Sequence, residues 1–247
     1  MPDDVPETIP GAVIVIAKTP QAGRVKTRLT PPLTPTQASD VAWACLNDTL
    51  AAVHRVPSQR HVLLLDGQPG DWIPYGFEVI AQRGGGLASR LAAGFADVDD
   101  DAVLIAMDTP QVDSTSLAIA LRALQGPHDS VLGPATDGGF WLIGLRAGIA
   151  PAAVFDGIPM STAHTGAAQL ERLGSLELST LMLEELRDVD TFDDVIALAA
   201  EHPHSSLRRL VDSIGLPAHK SERWTARFVG QDVDDDRGVR PTVIPRP

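Results

Sequence analysis

The chain holds one cysteine, Cys45, so no intrachain disulfide can form and nothing requires an oxidising compartment. Long apolar runs are missing too. Runs such as Ala12–Ala17 and Val62–Leu65 suit strands, and none approaches the ~20 residues that cross a bilayer. Met1–Pro10 carries acids where a secretory signal has a basic cluster ahead of a long apolar stretch, and we expect a cytosolic protein. Lysine is scarce, with only Lys18, Lys26 and Lys220, and the formal net charge is −12. That balance excludes a nucleic-acid polymer as partner, because such a partner demands a broad basic face. What is present is apolar bulk. Hydrophobic residues fill 44% of the 247 positions, enough for one large α/β domain or two small ones.

The cations are not spread evenly. Lys18 and Lys26 share a loop with Arg24 and Arg28, and such a concentration in an acidic chain reads either as a local anion site or as a solvated basic loop. The loop follows Gly11–Ala17, a continuous apolar run of the kind buried on both faces of a sheet. After it comes a helix with a written start: Thr34 as N-cap, Pro35 in the first turn and Gln37 completing a capping box. Ala38, Val41, Ala42, Cys45, Leu46, Leu50 and Val53 keep helical spacing, which makes Cys45 a core residue rather than a nucleophile.

Further strands are expected at His61–Asp66, Phe77–Ala81, Ala102–Met107, Ser130–Leu132 and Phe140–Leu145, and helices at Leu87–Phe95 and Leu117–Leu124. This alternation predicts a mainly parallel sheet with helices on both faces, whose sites lie beyond the carboxyl ends of strands. Past Ser175 the pattern weakens to a strand at Leu176–Met182, a helix at Thr191–Ala200 opened by Asp190 or Thr191, and a last helix at His204–Ile214. We expect a flexible N-terminus (1–10), one nucleotide-binding domain (11–214) and a poorly ordered tail (215–247) rich in Pro, Arg and Asp. His202 and His204, beside Pro203 at a helix end, read as surface residues rather than metal ligands.

Four motifs carry chemistry. The first is Ala17–Leu29, in which Gly23 permits a tight turn and Lys26 and Arg28 can place two cations on one phosphate chain. It lacks the spacing of a P-loop, and Gly84-Gly85-Gly86 follows the wrong strand for a dinucleotide fingerprint. The second is Asp108-Thr109-Pro110, a carboxylate directly after a buried strand. It suits a Mg²⁺ or Mn²⁺ shared with phosphate oxygens; the alternative is a cap on the next turn. The third, Gly133–Trp141, contains Asp137-Gly138-Gly139, where the glycines allow close backbone approach and Asp137 can accept from hydroxyls. The fourth is Asp188-Val189-Asp190-Thr191, in which alternation turns both aspartates to one side and either could complete a metal site with Asp108.

A strand followed by A-K-x-P-x-x-G-R-x-K-T-R-L, then D-[ST]-P, G-P-x-x-D-G-G and D-V-D-T, resembles a bacterial family of GT-A-fold nucleotide-diphospho-sugar transferases, from about Gly11 to Ala200. The Lys-Thr-Arg-Leu element and Gln82–Leu87 are also similar to 2-phospholactate guanylyltransferase, with molybdenum-cofactor guanylyltransferase a more distant cousin. The resemblance implies a GT-A-like three-layer α/β sandwich with a mainly parallel central sheet. It implies nucleotide contacts from Ala17, Lys18, Gly23, Arg24, Lys26, Arg28, Gly85, Gly86 and Asp108, and a Mg²⁺ or Mn²⁺ on Asp108 and Asp190. Arg24, Lys26 and Arg28 would neutralise phosphates, and Asp137 would touch the sugar or acceptor, so that Lys26, Arg28 and Asp137 carry the catalysis. Two positions depart from the family: Ala106 stands where many GT-A enzymes have the first acid of D-x-D, and Met160 replaces the Trp of a W-S-T element.

The expected activity is metal-dependent transfer from a nucleotide-diphosphate sugar to a small acceptor. Nucleotidyl transfer from a nucleoside triphosphate to a phosphorylated small molecule would use the same cations. A non-catalytic nucleotide-binding regulator would need no set of carboxylates such as Asp108, Asp137 and Asp190.

Overall fold

The structure, a computed structural model, describes residues 7–216. The first six residues and nearly all of the expected tail lie outside the described residues. Elements run in the order β1 (Ile9–Lys18), a 3-10 turn (Thr27–Leu29), α1 (Pro35–His54), β2 (Ser58–Asp66), β3 (Phe77–Ala81), α2 (Leu87–Val98), β4 (Ala102–Ala106) and α3 (Ser114–Leu124). They continue with β5 (Ser130–Pro134), β6 (Phe140–Leu145), α4 (Pro151–Phe155), α5 (Thr165–Ser175), β7 (Thr180–Met182), α6 (Phe192–Glu201) and α7 (Ser206–Ser213). Among the described residues no helix is long and apolar enough to cross a membrane.

The seven strands form one sheet in the order β3-β2-β1-β4-β6-β5-β7. Every neighbouring pair is parallel except those of β6, which runs antiparallel to β4 and β5. The reason lies in the chain: only Ala135–Gly139 joins β5 to β6, too short for the crossover of a dozen or more residues that parallel neighbours need.

Alternation along β1 divides the core. Val13, Val15 and Ala17 pack with Leu46 and Leu50 of α1 and Leu117 and Leu121 of α3. Ala12 and Ile14 face the other layer, with Leu91 and Phe95 of α2, Phe155 of α4 and Leu173 of α5. The result is the expected three-layer sandwich. A third cluster lies outside α1, where Val41 and Cys45 meet Leu29, Leu33, Val189 and residues of α6 and α7. It brings the cationic loop and the Asp188–Asp190 segment onto one support. Burying a leucine such as Leu29 contributes about 1.5–3 kcal/mol, so the loop is anchored within three residues of Lys26.

The start of α1 is as its sequence predicts, with Thr34 Oγ1 accepting from the Gln37 amide at 3.2 Å and Gln37 returning to the Thr34 amide at 2.9 Å. Thr191, not Asp190, caps α6, and Asp194 closes that box, which leaves the Asp190 carboxylate for other partners. Three elements differ from expectation. Only Thr180–Met182 of the Leu176–Met182 stretch pairs as a strand, because α5 runs to Ser175 and Glu177 turns through a positive φ of 55°. Helices α4 and α5 have no counterpart in the sequence reading.

Candidate active site

The site is assembled by the segment after β7. Leu186 donates to Pro134 O at 3.1 Å, so the segment extends the sheet beside β5. It then crosses to the end of β4, where Val189 donates to Asp108 O at 3.0 Å. Val189 is buried against α1 and α6, and alternation therefore turns Asp188 and Asp190 the other way, into a cleft. There they meet Asp137 from the β5–β6 turn. Carboxylate oxygens of Asp137, Asp188 and Asp190 all lie within 4.8 Å of one another. Burial and the charges of Asp108, Asp137 and Asp190 push Asp188 up to about 7.

Lys26 enters from the cationic loop in a left-handed conformation (φ 47°, ψ 37°). Its side chain is only 9% exposed. Its ammonium donates to Asp108 Oδ2 at 2.8 Å, to Asp190 Oδ1 at 3.5 Å and to the carbonyl of Val189. All three protons of the ammonium are thus engaged. Burial is the largest single influence and opposes its charge, but the attraction and hydrogen bond to Asp108 and the charges of its other neighbours, Asp190 among them, together outweigh it and hold the ammonium well above the ordinary lysine value. Cys45 lies fully buried nearby, and burial pushes its thiol up to about 12, so it is an inert core residue as expected. Arg28 differs from Lys26: its side chain is 75% exposed and one arm, Nη1, donates to Asp190 Oδ2 at 2.9 Å. Asp190 therefore carries Lys26 on one oxygen and Arg28 on the other.

These residues stand between two clefts. The smaller, of about 290 Å³, is lined by Lys18, Arg24, Lys26 and Arg28. The larger, of about 780 Å³, is lined by the acids Asp137, Asp188 and Asp194 and by the apolar Leu87, Phe140 and Met160. Arg28, Asp108 and Asp190 line both.

The remaining expected contacts are more dispersed. Ala17 is buried, and its carbonyl accepts from Gln82 Nε2 at 2.8 Å. Lys18 is exposed and lies 3.9 Å from Asp66. Gly23 turns through a φ of 75° in the exposed loop, and Arg24 reaches Gln21 at 3.3 Å. Gly85 and Gly86 line neither cleft. Gly86 instead caps α2, its amide and carbonyl both bonded to Ser89 Oγ, at 3.1 and 2.9 Å.

The glycine pair after Asp137 serves the protein before any ligand. Gly138 adopts a φ of 87°, and a Cβ there would collide with the carbonyl of Ala163. Its own carbonyl accepts from Gly166 at 2.8 Å, so the turn clamps the segment carrying Met160 and Thr162 against the hairpin. Asp137 Oδ1 accepts from the Gly139 amide at 2.7 Å. Sequence reasoning missed the apolar wall from Leu87, Leu91 and Phe140. It also missed Thr109 as a buried cleft residue whose hydroxyl has no partner among the described residues. It raised Asp188 only as an alternative to Asp190, although the D-x-D alternation carried the signal for both.

The family described as "Uncharacterized protein conserved in bacteria (DUF2064)" matches residues 46–162, a span that holds Asp108 and Asp137 but not Lys26, Asp188 or Asp190. A crystal structure from Desulfovibrio desulfuricans G20, provisionally named a nucleotide-diphospho-sugar transferase, is 27% identical. The match covers 85% of this chain and 96% of that one, with a TM-score of 0.75. A nucleotidyl transferase from Methanothermobacter thermautotrophicus is 13% identical over 76% of this chain and 95% of its own, with a TM-score of 0.55. No curated protein matches. The chain has the nucleotide-diphospho-sugar transferase fold that its motif series implied.

Proposed function

We propose that this protein of the nucleotide-diphospho-sugar transferase fold moves a sugar from a nucleotide-diphosphate donor to a small acceptor, with Mg²⁺ or Mn²⁺ as cofactor, in the cytosol. The observation that carries the reading is the double role of Asp190. It is bonded to Lys26 and Arg28 on the cationic side and clustered with Asp137 and Asp188 on the other. The donor set fits a hard divalent ion, because all three groups are carboxylates and Asp188 is disfavoured as an anion without added positive charge nearby. Asp190, Asp188 and Asp137 would hold the ion, with Asp108 behind them. When bound, it would withdraw charge from the diphosphate oxygens.

The chain's own residues divide the remaining work. Arg28, bonded among the described residues through Nη1 to Asp190, would grip the diphosphate with its other donors, and Arg24 and Lys18 would extend that grip along the smaller cleft. Lys26 sets Asp108 and Asp190 in place and puts fixed positive charge beneath the phosphates. Asp137 would accept from a sugar hydroxyl. In the transfer, the acceptor oxygen bonds to the anomeric carbon as the bond from that carbon to the diphosphate oxygen breaks. The electron pair leaves with the nucleoside diphosphate, and the acceptor proton passes to a base in the cleft or to water.

The test supplies purified protein and Mn²⁺ with a panel of nucleotide sugars or with nucleoside triphosphates. Release of nucleoside diphosphate from one sugar donor, lost in Asp190→Asn, is the expected result. Pyrophosphate release from a triphosphate, with the sugar donors inert, would replace this reading with nucleotidyl transfer.

A further inference from the structure

The larger cleft is chemically split. Toward the divide it is acidic, with Asp137, Asp188 and Asp190 in one group, and among the described residues Arg28 is the one lysine or arginine in its lining. Asp190 already engages that arginine. Its apolar lining is built from three parts of the chain, Leu87 and Leu91 from α2, Phe140 from β6 and Met160 from the clamped segment, and Phe140 and Met160 pack against the cluster that holds Leu91, making an apolar wall. Leu87 is 41% exposed there, although it is the first residue of an otherwise amphipathic helix. Thr109 adds a buried hydroxyl with no partner among the described residues. Lys18, Lys26 and Arg24 line the smaller cleft instead.

We propose that the wall of Leu87, Leu91, Phe140 and Met160 is the acceptor subsite, and that the acceptor is a hydroxylated small molecule with an apolar face and no phosphate. The inference rests on the sugar-transfer reading above. No lysine or arginine among the described residues stands on this wall to pair with an anionic group, and the ion that the carboxylates would hold would be engaged by the donor diphosphate. An apolar face would cover Leu87 and Met160, while a hydroxyl at its edge meets acceptors at Asp137 and Asp188. A volume of about 780 Å³ is that of a small-molecule site.

The probes are 4-nitrophenyl β-glucoside, neutral with an apolar ring, and 4-nitrophenyl phosphate, which shares the ring and carries the anion. Binding to the protein with Mn²⁺ and a nucleoside diphosphate is read by ligand-observed NMR. The glucoside should bind and the phosphate should not, and Leu87→Glu should weaken the glucoside at least tenfold while leaving nucleoside diphosphate binding unchanged. Met160→Glu gives a second, independent probe of the same wall should either variant fold poorly. Equal binding of both probes, binding of the phosphate alone, or a glucoside signal indifferent to both variants overturns the proposal. Absence of nucleoside diphosphate binding in the unaltered protein strikes at the transferase reading, separately from the acceptor result.

Discussion

Lys26 Nζ donates to Asp108 Oδ2 at 2.8 Å across 82 positions of sequence, and this pair ties the loop after β1 to the end of β4. A buried ammonium costs stability unless its partners compensate, and here Asp108, Asp190 and the Val189 carbonyl do so together. Lys26→Ala should therefore lower stability by about 1–3 kcal/mol, the cost of leaving a partly buried partner unpaired. In denaturant unfolding, Asp108→Asn in the same chain should recover part of that loss. Two single losses that simply add would show that the pair is not coupled.

Arg28 predicts the opposite balance. Its exposed side chain contributes little to folding, within about 0.5 kcal/mol. Arg28→Ala should nonetheless weaken nucleoside diphosphate binding by roughly 1.5–3 kcal/mol, the range for hydrogen bonds to charged groups. Calorimetry that finds affinity unchanged would remove Arg28 from the phosphate site.

The carboxyl of Asp188 gives a pH signature. Its value is raised in the folded protein to about 7, by burial first and then by Asp108, Asp137 and Asp190. A raised acid favours folding while it is protonated, so this contribution is complete below the unfolded aspartate value and is lost as pH rises through about 7. Metal-free protein should thus lose unfolding temperature between about pH 4 and 7 in a way that Asp188→Asn abolishes. Mn²⁺ binding near pH 6 should release protons, seen by titration in buffers of different ionisation heat. A profile identical in Asp188→Asn would refute the assignment.

The two glycine motifs separate cleanly. Gly138→Ala places a Cβ against Ala163 at a positive φ and should cost about 1–3 kcal/mol, with loss of donor turnover as Asp137 shifts. Gly85→Ala meets nothing within 4 Å and should fold normally. If it also binds nucleotide normally, the expected role of Gly85 at the base or ribose is lost.

The domain limit is testable by truncation. A chain ending at Leu216 keeps every described packing residue and should unfold at the temperature of the full chain. A large fall would place part of the core beyond that point.

Much of this arrangement could be read in the sequence where one local cause suffices. A parallel strand buried on both faces appears as an unbroken apolar run, as in Gly11–Ala17, and α1 is announced by Thr34, Pro35 and Gln37. The strand-end position of Asp108 and the alternation of Asp188 and Asp190 were legible for the same reason. Helix α4 is a five-residue piece, and α5 carries Gly166 and Gly174 among polar residues, so neither leaves a clear periodicity. The engagement of Lys26 was hidden because it depends on Val189, 163 positions away, packing over the same third cluster as Leu29. The role of Gly138 was hidden likewise, since its neighbour Ala163 lies in another segment.

The central claim is that Asp190 joins a divalent ion to the diphosphate of a donor held by Arg28. Anomalous scattering from crystals grown with Mn²⁺ and a nucleoside diphosphate tests it most directly. The account predicts one manganese peak touching Asp190 and at least one of Asp188 and Asp137, with a diphosphate oxygen on the ion and Arg28 on the phosphates. A nucleotide bound in the clefts with no manganese at these carboxylates, or with the ion elsewhere, would contradict it.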